Sequence, residues 1–310
     1  MYSLSAVIPV YYDEEVLSEL YKRLKPVVER LTSDYEIIFV EDGSKDRSFE
    51  ILKCLYNENA KIKVLKQSRN FGQANSILAG LRYASKDYIV IMDSDLQDKP
   101  EDIEELITAM EENNVSMAIA KWETRKDTLK KKLASWVFYS FSQRITDMKY
   151  EQGLGVFRVI KRKAIEKLLD VPEITGSILS LLYWSGISYV PVPLKRDARF
   201  AGTSGYNLNK MLKLASDRIF SYSLLPMKLM INTGLIVAVL SFLFVAYIVI
   251  RKLAGLPVQT GWSSIIALLS FLFGVNFIFL GLLGEYIGRI YLESKKRPKY
   301  VTEIILDRDV

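Results

Sequence analysis

The segment "IVIMDSDLQDKPEDIEEL", Ile89 to Leu106, begins as an apolar strand and ends as a helix. Three carboxylates, those of Asp93, Asp95 and Asp98, stand between the two elements. Asp98 is a favourable N-cap, and Pro100 suits the first turn of the helix that follows. A strand that passes directly into a helix is the repeating unit of α/β folds, so this segment predicts that fold class.

The residues before this segment repeat the same alternation. Strand patterns occur in SLSAVIPVY (3–11), EIIFVEDGS (36–44) and IKVLKQS (62–68), and helical patterns occur in EEVLSELYKRLKPVVERL (14–31), SFEILKCLYNE (48–58) and ANSILAGLRYAS (74–85). The rhythm predicts βαβ units in a mostly parallel sheet with flanking helices. Such a sheet binds its ligands beyond the carboxyl ends of its strands.

Acidic residues follow three of the predicted strands. They are Asp13 and Glu14, then Glu41 and Asp42, then Asp93 and Asp95. Carboxylates that meet at one edge of a sheet repel one another unless a cation lies among them. Hard oxygen ligands favour Mg²⁺ or Mn²⁺, which bind through one or two carboxylates together with substrate phosphates. The pattern therefore predicts a divalent metal site that binds a diphosphate.

The composition excludes several kinds of chemistry. The chain of 310 residues has no histidine, which rules out an imidazole base and a Ser-His-Asp triad. The single cysteine, Cys54, falls in a predicted helix and is expected to be a small buried residue without a catalytic role. The net charge of +6 comes from basic residues that cluster beside apolar segments. That distribution favours a membrane surface and argues against nucleic acid as the partner.

The C-terminal third carries two long apolar segments. At 1.5 Å per residue, each is long enough to cross a hydrocarbon core of about 30 Å. Basic residues concentrate on the outer flanks of the pair, which predicts that both ends lie in the cytoplasm. The predicted organisation is a cytosolic domain (1–206), an amphipathic interface helix (207–228), a transmembrane hairpin (229–287, with spans 229–250 and 262–284) and a cytosolic C-terminal tail (288–310).

Six ordered motifs carry a resemblance to a known family. They are PVYYDEE (9–15), VEDGSKDRS (40–48), RNFGQ (69–73), MDSDLQDKPE (92–101), RFAGTSGY (199–206) and GLLGEYIGRIYLESKKRPKY (281–300). Together they resemble the polyisoprenyl-phosphate glycosyltransferases of glycosyltransferase family 2, which include bactoprenol-phosphate glucosyltransferases and dolichol-phosphate mannose synthase. The resemblance covers nearly the whole chain.

The resemblance implies a GT-A (Rossmann-like) domain that transfers a sugar from a nucleotide sugar, with UDP favoured, to a polyprenyl phosphate. The reaction would take place at the cytoplasmic face of a bacterial inner membrane. By motif position, the nucleotide-binding residues would be Pro9, Tyr11, Glu14, Asp42 and Asp93, and the metal ligands Asp93, Asp95 and Gln97. Asp93, Asp95 and Arg199 would serve catalysis, and Lys121, Arg125, Lys131 and Ser135 would bind the acceptor phosphate.

The acceptor in such a reaction needs no general base. A phosphate monoester has its second pKa near ~6, so an oxygen is already ionised at neutral pH. We therefore expect cations to hold the phosphate and the sugar to be transferred with inversion. Gly274, Gly281 and Gly288 recur at a constant interval in the second span and just beyond it, and they favour close helix packing. With the family tendency, this favours a homo-oligomer, with a tetramer preferred.

Two motifs depart from the family pattern, and three alternative functions remain open. Gly205 stands where relatives have lysine, and Gln152 and Gly153 stand where many have an aspartate. A catalytically degenerate scaffold that binds nucleotide sugars is compatible with these departures. A processive polysaccharide synthase would need a Gln-x-x-Arg-Trp segment, which the sequence lacks. A dinucleotide-dependent oxidoreductase would need a Gly-x-Gly-x-x-Gly turn after the first strand, which is also missing.

Overall fold

The computed structural model describes residues 2–122, 153–169, 178–197, 225–254 and 261–308. The chain divides into two compact units. The sheet unit comprises Met1–Tyr206 together with Arg297–Val310, and the helical unit comprises Asn207–Lys296. The sheet unit is therefore built from both ends of the sequence, with the helical unit inserted between them.

An eight-stranded sheet forms the centre of the sheet unit, in the order β7-β5-β6-β4-β1-β2-β3-β8. The strands are β1 (Leu4–Val10), β2 (Tyr35–Glu41), β3 (Ile62–Gln67), β4 (Tyr88–Ile91), β5 (Met117–Trp122), β6 (Leu154–Lys161), β7 (Tyr189–Leu194) and β8 (Thr302–Leu306). Every residue of β1 and β2 is buried, as expected for strands that are covered by helices on both faces.

The sheet is mixed. Strands β3, β2, β1 and β4 pair in parallel, and so do β5 and β7, as the alternating pattern predicts. Strand β6 runs antiparallel to both β4 and β5, and β8 runs antiparallel to β3. The prediction of a mostly parallel sheet is thus correct for the first four strands and too simple for the rest. Strand β8 follows the helical unit in the sequence, so no βαβ crossover sets its direction.

Helices cover the two faces of the sheet. They are α1 (Leu17–Leu31), α2 (Ser48–Glu58), α3 (Gln73–Tyr83), α4 (Ile103–Glu112), α5 (Arg162–Leu169) and α6 (Ile178–Trp184), and a short 3₁₀ turn, Pro100–Asp102, precedes α4. Helices α1, α2 and α4 pack with Ala6 and Ile8 on one face, and α3, α5 and α6 pack with Val7 on the other. This alternation along β1 divides the core into two layers, and burial of a Val or Ile side chain in either layer contributes about 1.5–3 kcal/mol.

Helix α3 approaches β1 closely because residue 80 is glycine. A Cβ at Gly80 would lie 2.3 Å from Val7 Cγ1. The side chain of Cys54, in contrast, is exposed on α2, so the expectation that it is buried is wrong. The buried positions of α2 include Leu52 and Leu55, and Cys54 falls outside that face.

The helical unit contains two long helices, α7 (Leu225–Leu253) and α8 (Trp262–Ser294). Within the described residues, one stretch, Phe271–Ser294, is long and apolar enough to cross a membrane, with a mean hydropathy of 1.6 and none of it buried. In α7 the apolar stretch is shorter, Leu229–Phe244. The structure therefore supports the second of the two expected spans. Its apolar stretch lies further toward the C-terminus than the expected range 262–284, because α8 continues beyond Gly284. Most of the interface helix expected at 207–228 lies outside the described residues.

Candidate active site

The carboxyl ends of β1, β2 and β4 lie at the same edge of the sheet. The register pairs Val10 at the end of β1 with Glu41 at the end of β2, and β4 is parallel to β1 on its other side. Two of the acidic loops touch directly, because Ser94 Oγ donates a 2.6 Å hydrogen bond to Asp13 Oδ2. The fold thus brings together the strand ends that the sequence marks with acids.

The loop after β1 presents two tyrosine rings to solvent. Tyr11 and Tyr12 are 46% and 49% exposed, and their rings meet edge to face at 4.6 Å. Asp13 shapes this loop, since its Oδ2 accepts a hydrogen bond of 2.9 Å from Tyr11 N. Pro9 is buried within β1. Exposed aromatic rings at this edge can stack on a planar base.

Glu14 and Asp42 connect neighbouring loops. Glu14 Oε2 accepts a 2.8 Å hydrogen bond from Arg47 N, which joins the loop after β1 to the loop after β2. Both carboxylate oxygens of Asp42 accept bonds of 2.8 Å, from Phe71 N and Gly72 N, so this buried side chain holds the loop between β3 and α3. Burial raises the pKa of Asp42.

Gly43 permits a close approach between the same two loops. It has a φ of +69°, and a Cβ there would lie 2.5 Å from the backbone carbon of Arg69. A side chain at this position would be strained by the backbone conformation and would also collide with the neighbouring loop. Asp42 and Gly43 together therefore determine how closely the segment that begins at Arg69 packs against the loop after β2.

The loop after β4 places Asp93 between two side chains. Gln73 Nε2 donates a 2.5 Å hydrogen bond to Asp93 Oδ1, and Arg196 Nη2 lies 3.7 Å from Asp93 Oδ2. Burial, with a further contribution from Asp95, raises the pKa of Asp93 to about 6. Asp95 Oδ1 accepts a 3.2 Å bond from Gln97 N.

Asp98 does not cap the following helix, so that expectation is wrong. The 3₁₀ turn has Lys99 at its N-cap position, and no side chain makes a capping bond there. Asp98 instead turns inward and is fully buried, with its Oδ1 3.3 Å from Arg196 Nε. Burial and the nearby Asp93 raise the pKa of Asp98 to about 7. The inward orientation places this side chain beside the site.

The donor set suits a divalent ion that is shared with a substrate. Among the described residues, no group of three or more acidic, cysteine or histidine side chains is arranged to hold a metal. Mg²⁺ and Mn²⁺ need no such cage, because one or two carboxylates and substrate phosphates suffice. Asp93 and Asp95 supply hard oxygen donors at the carboxyl edge of the sheet, so the residues fit such an ion.

Comparison with known proteins identifies the family. Residues 5–169 match the family described as "Glycosyl transferase family 2". The chain belongs to glycosyl transferase family 2. This confirms the resemblance carried by the six motifs, and residues 225–290 match the "GtrB C-terminal hairpin".

Relatives of this family 2 chain extend over nearly its whole length. The bactoprenol glucosyl transferase of Shigella phage SfV is 38% identical and aligns over 96% of this chain and 97% of its own. A prophage bactoprenol glucosyl transferase homolog of Escherichia coli K12 is 35% identical over 96% of this chain and 97% of its own. A Bacillus subtilis glycosyltransferase, YkcC, is 38% identical over 96% of this chain and 93% of its own.

Solved structures share the fold. Glucosyl-3-phosphoglycerate synthase from Mycobacterium tuberculosis, solved with Mn²⁺, uridine diphosphate and phosphoglyceric acid, aligns with a TM-score of 0.52 at 14% identity. The alignment covers 71% of this chain and 76% of that one. At this identity the likeness establishes the GT-A-like α/β fold of the family 2 domain.

The residues expected at the acceptor side of the family 2 domain fall mostly in undescribed segments. Arg125, Lys131, Ser135 and Arg199 lie outside the described residues, as do Gln152 and Gly205. Lys121 is described, near the carboxyl end of β5 and half-buried. Strand β5 runs parallel to β4, so its carboxyl end lies at the same edge as Asp93.

Three residues that contact the acidic loop or its partners were not predicted. Gln73 binds Asp93, Arg196 lies between Asp93 and Asp98, and the Trp122 ring lies 5.2 Å from the Arg196 guanidinium. Gln73 ends the motif RNFGQ, which was a signal available in the sequence. Trp122 is the last residue of β5 and Arg196 follows β7, and nothing in their local sequence distinguishes them.

Proposed function

We propose that the chain is an inverting glycosyltransferase that moves a sugar from a nucleotide sugar, with UDP favoured, to a polyprenyl phosphate. The observation that carries this proposal is the position of Asp93 and Asp95 beside the loops of β1 and β2, in a chain that also contains an unburied apolar helix. The names of the full-length relatives support a bactoprenol-type acceptor and glucose as one candidate sugar.

The nucleotide sugar binds across the carboxyl edge of the sheet. Exposed Tyr11, with Pro9 and Glu14, forms the nucleoside side, and Asp42 holds the adjoining loop against it. Asp93, Asp95 and Gln97 would hold Mg²⁺ or Mn²⁺ at the diphosphate. When bound, the ion supplies Lewis-acid stabilisation of the charge that develops on the leaving nucleotide.

The acceptor phosphate is its own nucleophile. One of its oxygens is ionised at neutral pH and attacks the anomeric carbon opposite the nucleotide, so the configuration inverts. Cations must offset the repulsion between this anion and the diphosphate. Lys121, Arg125, Lys131 and Arg199, with the hydroxyl of Ser135, supply that environment.

Both long helices cross a bacterial inner membrane in this proposal, and the sheet unit is cytoplasmic. Helix α8 has 33 residues, which corresponds to about 50 Å and exceeds a hydrocarbon core of about 30 Å. The excess accommodates its charged C-terminal turns, where Arg289 Nη2 lies 2.8 Å from Glu285 Oε1. An ion pair of this kind is compatible with the water-facing end of a span.

We also propose a homo-oligomer, with a tetramer favoured. Gly274, Gly281 and Gly288 lie on α8, and within the described residues a Cβ at any of them would meet nothing within 4 Å. Helices pack closely in membranes through such small residues. A helix of a second copy is therefore a suitable partner for this face.

Product formation tests the proposed reaction. Membranes that contain the chain are incubated with a panel of labelled nucleotide sugars, with and without undecaprenyl phosphate, and the lipid phase is extracted. We expect one nucleotide sugar to give a labelled lipid that depends on the added phosphate. Nucleotide binding without any labelled lipid would overturn the proposal in favour of a catalytically degenerate scaffold.

A further inference from the structure

The segment after β7 lies against the acidic loop after β4. Asp197 N donates a 3.2 Å hydrogen bond to Gln97 O, and Lys99 Nζ lies 3.1 Å from Asp197 Oδ1. Between these contacts, Arg196 reaches the interior of the loop. We call residues 93–99 the metal loop and residues 195–197 the bracing segment.

The Arg196 guanidinium is shared between two carboxylates. Its Nη2 lies 3.7 Å from Asp93 Oδ2, and its Nε lies 3.3 Å from Asp98 Oδ1. The Trp122 ring lies 5.2 Å from its central carbon. A planar guanidinium suits this arrangement, because it can pair with carboxylates along its edge and stack on an aromatic ring.

Arg196 balances charge at a place where carboxylates accumulate. Asp93, Asp95 and Asp98 belong to one loop, and Ser94 joins that loop to Asp13. Among the ion pairs of the described residues, Arg196 is the cation that pairs with Asp93 and Asp98. Lys99, the one cationic residue within the metal loop itself, pairs with Asp197, whose side chain is half exposed.

We propose that Arg196 is the internal counter-cation of the metal loop, and that its guanidinium competes with a divalent ion for the Asp93 carboxylate. Arg196 is thus a positioning residue, and the proposal rests on the assignment of Asp93 as a metal ligand. An ion bound at Asp93 would displace the guanidinium from that carboxylate. The closer pair with buried Asp98 and the contact with Trp122 would keep the guanidinium beside the loop. Ion binding at Asp93 is thereby coupled to the position of the bracing segment that follows β7.

The test is the affinity for Mn²⁺, measured on the full chain in detergent without nucleotide, from the electron paramagnetic resonance signal of the free ion. Arg196→Gln removes the competing charge, so we expect its Kd for Mn²⁺ to fall about 3- to 10-fold below the parent value. A purely structural role for Arg196 predicts the opposite, because a loosened loop binds the ion more weakly.

Lys99→Gln is the matched control. It removes an equal charge, from the metal loop itself, but leaves the Arg196 contacts in place. Its Kd should stay within about twofold of the parent, because Lys99 pairs with half-exposed Asp197 and not with Asp93. An Arg196→Gln variant whose Kd is unchanged or raised overturns the proposal. Equal tightening in both variants also overturns it, since the effect would then be one of net charge alone.

A second comparison covers the case in which Arg196→Gln fails to fold with Asp98 left unpaired. The double variant Arg196→Gln/Asp98→Asn removes both ends of the buried pair and is compared with Asp98→Asn alone. We expect the double variant to bind Mn²⁺ more tightly by the same factor, and equal or weaker binding would overturn the proposal.

The outcome is separable from that of the proposed function, because neither sugar nor lipid is present in the binding assay. A parent chain that binds no Mn²⁺ overturns the role assigned to Arg196, whereas product formation still decides the transfer reaction.

Discussion

Asp307 Oδ2 lies 3.1 Å from Lys63 Nζ, so the residue directly after β8 is paired with a residue of β3. Both side chains are nearly buried, at 4% and 12% exposure. The contact belongs to a small polar network, in which Lys63 Nζ lies 3.2 Å from Glu36 Oε2 and Tyr83 donates a 2.6 Å hydrogen bond to Asp307. The segment that leaves the helical unit is therefore an integral part of the sheet.

Asp307→Asn should destabilise the sheet unit. The substitution leaves Lys63 buried with one fewer anion, which costs about 2 kcal/mol and lowers Tm by about 4–8 °C. Thermal unfolding of the full chain in detergent measures the change. Glu303→Gln, in β8 just before Asp307, removes a half-exposed partner of Lys66 and should cost less than about 1 kcal/mol. Equal losses in the two variants would contradict a specific role for the buried pair.

Residues 3 and 299 should lie on the same, cytoplasmic side of the membrane. Strands β1 to β7 precede the helical unit and β8 follows it, so both ends of that unit connect to one sheet. Cysteines introduced at Ser3 and Lys299 should resist an impermeant maleimide in intact cells, whereas one at Gln259, between the helices, should react. The exposed native Cys54 must first be changed to serine. Labelling at residue 3 or 299 in sealed cells would overturn this topology.

Activity should require a divalent ion, and Asp95→Asn should reduce product formation by at least about 100-fold. The lost carboxylate removes a ligand of an ion that supplies several kcal/mol of stabilisation. Asp102→Asn, in the 3₁₀ turn that follows the same loop, serves as the control and should remain close to the parent. Undiminished turnover in excess chelator would show that the ion is dispensable.

Gly43→Ala should weaken UDP binding by roughly tenfold, or about 1.4 kcal/mol. Its methyl group would collide with the backbone at Arg69 and Asn70 and push the loop held by Asp42 away. Gly186→Ala is the matched control, because Gly186 also has a positive φ, of +73°, yet nothing lies within 4 Å of its Cβ position. It should reduce stability by about 1 kcal/mol and leave UDP affinity unchanged. Calorimetric titration with UDP compares the two, and parent-like affinity in Gly43→Ala would contradict the prediction.

Lys131→Ala should weaken use of the lipid phosphate by roughly 10- to 100-fold, corresponding to the ~1.5–3 kcal/mol of a charge-assisted contact. Nucleotide binding should be nearly intact, because the lysine is assigned to the acceptor. Initial rates at varied lipid phosphate and neutral pH measure the effect.

Glu151 is the acid nearest to Gln152 and Gly153, which stand where many relatives have an aspartate. Glu151→Gln should retain activity in the same assay, because an ionised phosphate has no proton to remove. Nucleotide affinity and thermal unfolding establish that the variant is folded. An inactive, folded Glu151→Gln variant would establish a need for this acid and contradict the base-free reaction.

The sequence by itself determined β1 to β4, α1 to α4 and the acids at the strand ends. These features are local. The spacing of apolar residues distinguishes a strand from a helix, and polar residues directly after a buried strand indicate its carboxyl end. The family also followed from the sequence, because six short motifs keep their order along the chain. Asp93 and Asp95 were predicted as metal ligands for the same reason, because both follow one strand directly, and that role stays a prediction.

Tertiary structure alone decided which distant residues surround those acids. Strand order places the segment after β7 beside the loop after β4, so Arg196 meets Asp93 and Asp98 although no local pattern relates them. The same holds for β8, whose pairing with β3 depends on the return of the chain from the helical unit. The inward turn of Asp98 also needed the fold, because its sequence context suits a helix cap equally well. Periodicity encodes which face of an element is buried, whereas strand order and long-range charge pairing arise only when the elements assemble.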